Sequence, residues 1–101
     1  MNREEEIQIM RDAIDTYGEQ SQSDKSIEEM SELIKALLKI RHAKPTGIEH
    51  EILNDAVAEE MADVEIMISQ LHMIYKNDKK VQEYRQKKLE RLERRLKGGR
   101  D

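Results

Sequence analysis

Ala56-Val57-Ala58-Glu59-Glu60-Met61-Ala62-Asp63-Val64 is the stretch whose reading decides the fold of this 101-residue chain. With ~100° of turn per residue, Ala56, Val57, Val64, Met67 and Leu71 fall within roughly 60° of Glu60, and Asp63 shares that sector. The apolar spacing holds from about Glu49 to Tyr75, which predicts one long helix of roughly 40 Å at ~1.5 Å per residue. Two acids therefore lie inside the stripe a helix turns toward its neighbours. An ionised carboxylate left unpaired there costs several kcal/mol, so it must be paired, protonated or bound to a cation.

Working outward, Pro45 and Gly47 break the chain before this helix. Ahead of them a second helix begins between Glu19 and Ser26 and continues to about His42, with Ile27, Met30, Leu33, Ile34, Leu37, Leu38 and Ile40 as its apolar residues. It carries a second acidic motif, Glu28-Glu29-Met30-Ser31-Glu32. Glu29 and Glu32 are three residues apart and share one face. They flank Ala36 at the edge of the stripe. A first helix is predicted from about Arg3 to Tyr17, through Ile7, Met10 and Ile14, with Gly18 as its stop. After a turn at Asn77-Asp78, a fourth runs from about Lys79 to Leu96, where Val81, Tyr84, Lys88, Leu92 and Leu96 form a narrow seam. The expectation is an all-α, four-helix bundle-like domain over residues 1–97 with a flexible tail over 98–101.

Composition agrees with helices: charged residues make up 40% and aromatics 3%, with Tyr17, Tyr75 and Tyr84 the only aromatic side chains. The net charge of −4 divides unevenly. Residues 1–75 hold 17 Asp/Glu against 7 Lys/Arg, and residues 76–101 hold 5 against 11. The basic end suits a polyphosphate bound at an acidic, metal-loaded site. Nucleic acid is not an expected partner, because the overall charge is negative and stacking aromatics are scarce. The absence of cysteine excludes disulfides and thiolate metal sites. No apolar run reaches the length of a membrane span, and Met1-Asn2-Arg3-Glu4-Glu5-Glu6 lacks the layout of a signal peptide, so a cytoplasmic protein without membrane contact is expected. So small a chain, with Ile66, Met73 and Ile74 beyond its main stripe, is expected to bury surface in a homodimer or homotetramer.

Two carboxylate pairs aimed at one point suit a hard cation such as Mg²⁺. The rival account is a salt-bridge core neutralised by Lys or Arg. A di-iron site is disfavoured, since neither His42, His50 nor His72 has a Glu three positions before it.

The sequence Glu28-Glu29-Met30-Ser31-Glu32, followed after 27 intervening residues by Glu60-Met61-Ala62-Asp63, resembles the MazG-like all-α nucleoside triphosphate pyrophosphohydrolases, a group that includes the dimeric dUTPases and dCTP pyrophosphatases. The likeness extends to the closing Lys88-Leu89-Glu90-Arg91-Leu92-Glu93-Arg94-Arg95-Leu96. It implies a Mg²⁺-dependent enzyme, with Mn²⁺ as a substitute, that splits a nucleoside triphosphate between its α and β phosphates in nucleotide house-cleaning. By position, Glu29, Glu32, Glu60 and Asp63 inherit the metal-ligand role, and Glu29 or Glu32 also orients or deprotonates the attacking water. Lys88, Arg91 and Arg95 are the phosphate-binding candidates, and Gln22 is a candidate contact to base or ribose. The chain departs from the best-known dUTPase and dCTPase members in lacking Trp and Phe, which leaves the base preference open. The alternative function is a non-catalytic helical nucleotide-binding or assembly module that retains the acidic cage.

Overall fold

The computed structural model describes residues 1–98. It consists of four helices: α1 (Arg3–Tyr17), α2 (Glu19–Arg41), α3 (Ile48–Tyr75) and α4 (Asp78–Leu96). Among the described residues there is no strand. The all-α expectation holds, and the boundaries fall within a residue or so of the predicted ones. Of the expected tail over 98–101, residues 99–101 lie outside the described residues.

Local chemistry explains the helix ends. Asn2 caps α1 reciprocally: its side chain accepts from the Glu5 amide at 2.9 Å, and its own amide donates to the Glu5 carboxylate at 3.3 Å. Gly18 both ends α1 and starts α2 at φ 94°, a backbone conformation that a side chain disfavours. The left-handed conformation needed between α3 and α4 falls instead on Lys76, at φ 51°.

Packing is concentrated between α2 and α3, and α1 lies against both. These two helices form an antiparallel hairpin joined by residues 42–47. The pairing advances in seven-residue steps: Gln22 meets Gln70, Glu29 meets Asp63, and Ala36 and Ala56 line one cavity. A seven-residue seam of this kind is the geometry of coiled-coil packing. Its core is thin. Ala36, Val57 and Met67 are the buried apolar side chains among the described residues, joined by buried Gln22, Ser26 and Gln70. Gln22 Nε2 donates to Gln70 Oε1 at 2.6 Å, so the two amides partner each other, and Ser26 Oγ donates to the Ser23 carbonyl at 2.6 Å within its own helix.

The fourth helix differs from the others. It buries no residue and adds few contacts to the rest of the chain. A groove of about 690 Å³ opens where it leaves the hairpin, lined by Arg3, Ile7 and Met10 of α1, His72 and Met73 of α3, and Gln82 of α4.

Candidate metal centre

One seven-residue step above the Gln22–Gln70 layer, the seam places Glu29 of α2 against Glu60 and Asp63 of α3. One carboxylate oxygen from each of the three lies within 4.8 Å of the others. This convergence follows from the sequence locally. Glu60 and Asp63 are one turn apart on the stripe that faces α2. Glu29 lies on the side of α2 that buries Gln22, Ser26 and Ala36, whereas Ile27, Ile34, Leu37 and Leu38 of the expected apolar stripe are exposed.

The group is electrostatically unsatisfied. Burial pushes the Glu29 carboxyl up, Asp63 raises it further by charge and by a hydrogen bond between the two carboxyls, Lys25 lowers it, and Glu60 raises it. The Glu60 carboxyl is raised too, first by burial, then by Asp63, Glu32 and Glu59. The available cations compensate poorly. Lys25 Nζ stands 3.7 Å from Glu29 Oε1 and is half exposed. α3 contains no Lys or Arg, and among the described residues no ion pair reaches Glu60 or Asp63. The salt-bridge core weighed as a rival thus lacks its cations.

Three hard oxygen donors that repel one another fit a divalent ion of the Mg²⁺, Ca²⁺ or Mn²⁺ type better than a soft or thiophilic metal. The chemistry of the donors does not single out one of them.

Glu32, expected as a fourth ligand, stands beside this group rather than in it. It is near enough to Glu60 to raise its carboxyl, but its side chain is 45% exposed and accepts from Lys35 Nζ at 3.3 Å. Between it and Glu60 lies a cavity of about 120 Å³, lined also by Lys35, Ala36, Lys39, Leu53 and Ala56. Ala36 and Ala56 leave this space, as their small size in the sequence suggests.

Lys35 and Lys39 were missed by the sequence reading. The signal was present, because they follow Glu32 by three and seven residues and so share its face. Gln22 is buried, and its amide is committed to Gln70. Lys88, Arg91 and Arg95 stand on α4, apart from the α2–α3 hairpin that holds the carboxylates.

No helix among the described residues is long and apolar enough to cross a membrane. Comparison with protein-family models, with curated proteins and with solved structures finds no match to this chain.

Proposed function

We propose that this chain is a Mg²⁺-dependent nucleoside triphosphate pyrophosphohydrolase of the MazG-like type. The observation that carries the reading is the convergence of Glu29, Glu60 and Asp63 oxygens within 4.8 Å, with no matching cation from α3. The spacing of the two acidic motifs supplies the reaction class through the family resemblance.

In this reading Glu29, Glu60 and Asp63 hold the metal, which when bound supplies charge neutralisation and an acidified water. The water oxygen bonds to the α-phosphorus, the bond from that phosphorus to the bridging oxygen breaks, and pyrophosphate leaves the monophosphate behind. Glu32, partly exposed at the rim, takes the water's proton. Lys35 and Lys39 border the cavity beside Glu60 and offset phosphate charge there. No side chain is required as a covalent nucleophile.

The test is a panel of standard and modified nucleoside triphosphates incubated with the protein and Mg²⁺, with products separated by chromatography. Monophosphate and pyrophosphate in equal amounts, abolished by a chelator, are expected. Release of orthophosphate with diphosphate remaining would refute the bond assignment. Binding of nucleotide without turnover across the panel would favour the non-catalytic module.

A further inference from the structure

The groove that opens between α1, α3 and α4 lies on the side of α3 away from the carboxylates. With Glu60 at zero and ~100° per residue, Asp63 falls at about 300°. Ser69, His72, Met73 and Lys76, which line the groove, fall between roughly 120° and 220°. At about 690 Å³ the groove is a separate space from the cavity of about 120 Å³ beside Glu32 and Glu60. Its size lies within the ~300–1,000 Å³ of small-molecule pockets.

Its charge runs against that of the chain around it. Residues 1–75 hold 17 Asp/Glu against 7 Lys/Arg, yet both basic residues of α1, Arg3 and Arg11, line this groove with Ile7 between them. The turn after α3 contributes Lys76, the first Lys or Arg in the sequence after Lys44. Lys76 holds the left-handed conformation at φ 51°, which glycine adopts more readily. Among the described residues none of these three cations is held in an ion pair. Two acids also line the groove, Glu6 and Asp78. Each stands in the first turn of its own helix, where the helix amides offset part of its charge. The balance is positive.

The apolar lining is half-buried and the cations are exposed, so Ile7, Met10 and Met73 form the floor and the charges form the rim. Two of the three floor residues are methionines, whose thioethers make favourable contacts with ring edges. His72, also half-buried, and Gln82 add N–H donors.

We infer that this groove binds a small organic phosphate monoester. A flat ring lies on Ile7, Met10 and Met73, and Arg3, Arg11 and Lys76 take the dianionic phosphate. Guanidinium forks match phosphate oxygens, and a dianion answers three cations better than a single carboxylate does. The site depends neither on the metal nor on the hydrolase reading.

The test is calorimetric titration of 1-naphthyl phosphate into the full chain in EDTA, which keeps divalent ions from the carboxylates. Binding is expected, about tenfold or more tighter than that of inorganic phosphate or 1-naphthol, and tighter than that of hexyl phosphate. No binding at millimolar probe would overturn the proposal. Equal binding of inorganic phosphate would remove the apolar floor, equal binding of 1-naphthol would remove the cations, and equal binding of hexyl phosphate would remove the ring; each overturns it. Arg11→Gln and Lys76→Gly should each weaken the probe by about tenfold, and unchanged affinity in both would overturn it too. Because glycine suits the turn at φ 51°, Lys76→Gly should melt no lower than the native chain, which separates loss of binding from loss of fold. Asp63→Asn should bind the probe as the native chain does. Loss of binding there would place the probe at the carboxylates and overturn the assignment.

Discussion

Asp63→Asn separates a metal centre from a structural ion pair, because it keeps the shape of the side chain and removes its charge. If Asp63 were the partner of a buried cation, the substitution would strand that cation and cost about 3–5 kcal/mol. Among the described residues no cation pairs with it: α3 is free of Lys and Arg, and Lys25 pairs with Glu29. What Asp63 does face is other carboxylates, with oxygens within 4.8 Å. Two like charges at that separation repel by about 1 kcal/mol at the dielectric of water, the appropriate limit for partly exposed groups. Removing Asp63's charge relieves its repulsion with Glu29, and Glu60 adds to the relief in the same sense.

The metal-free variant should therefore be as stable as the native chain or more stable, by up to about 1 kcal/mol, equivalent to about 4–8 °C in Tm for a domain of this size. Magnesium reverses the order. At a hundredfold excess over Kd, a ligand that binds only the folded state adds about 2.7 kcal/mol, and the variant, short of one donor and one charge, should lose most of that gain. The assay is thermal unfolding of both proteins with and without Mg²⁺ at fixed protein concentration. A variant much less stable than the native chain without metal, and equally responsive to Mg²⁺, would refute the reasoning.

Three further outcomes follow from particular contacts. The Glu29 and Glu60 carboxyls are held above their usual range, so in the metal-free protein they oppose folding above their folded-state pKa, and that opposition disappears as pH falls below the unfolded-state value. Protons also compete with the metal, so Mg²⁺ affinity measured by calorimetry should decline on acidification from a pH above the ordinary carboxylate range, and a flat profile down to that range would contradict the site. Gln22→Ala leaves buried Gln70 without its 2.6 Å partner, which should cost about 1–3 kcal/mol in denaturant unfolding; a neutral result would show that water replaces the amide. Gly18→Ala meets no steric neighbour but must hold an alanine at φ 94°, so a loss of about 1–3 kcal/mol is expected from backbone strain alone; unchanged stability would mean that the α1–α2 junction rearranges at no cost.

The helices were legible because their signals are local. Gly18, Pro45, Gly47 and the 3.6-residue spacing of Ile, Leu and Met act within one or two turns, and the observed boundaries fall where these residues stand. The acidic cluster was legible for a related reason: Glu60 and Asp63 occupy a stripe otherwise made of Val, Met, Leu and Ala. What periodicity on single helices could not supply was the register between them. Once Glu29 is set opposite Asp63, seven-residue steps put Gln22 on Gln70 and bring Ala36 to Ala56. Gln22 then completes a buried polar layer, and Glu32 moves to the rim beside Lys35 and Lys39.

The same register separates the two halves of the chain. Along α2 and α3 each layer is completed within the hairpin by a residue seven positions from the last, so the carboxylates gather without help from another chain. α4 continues past the end of that repeat and has no third helix left to meet, because α1 already lies against α2 and α3. Its apolar seam is left exposed by the chain's own hairpin. Because Glu29, Glu60 and Asp63 converge within one hairpin, Mg²⁺ affinity should be independent of protein concentration. Titrating Mg²⁺ by calorimetry at protein concentrations about a hundredfold apart checks this, and an affinity that rises with protein concentration would refute it.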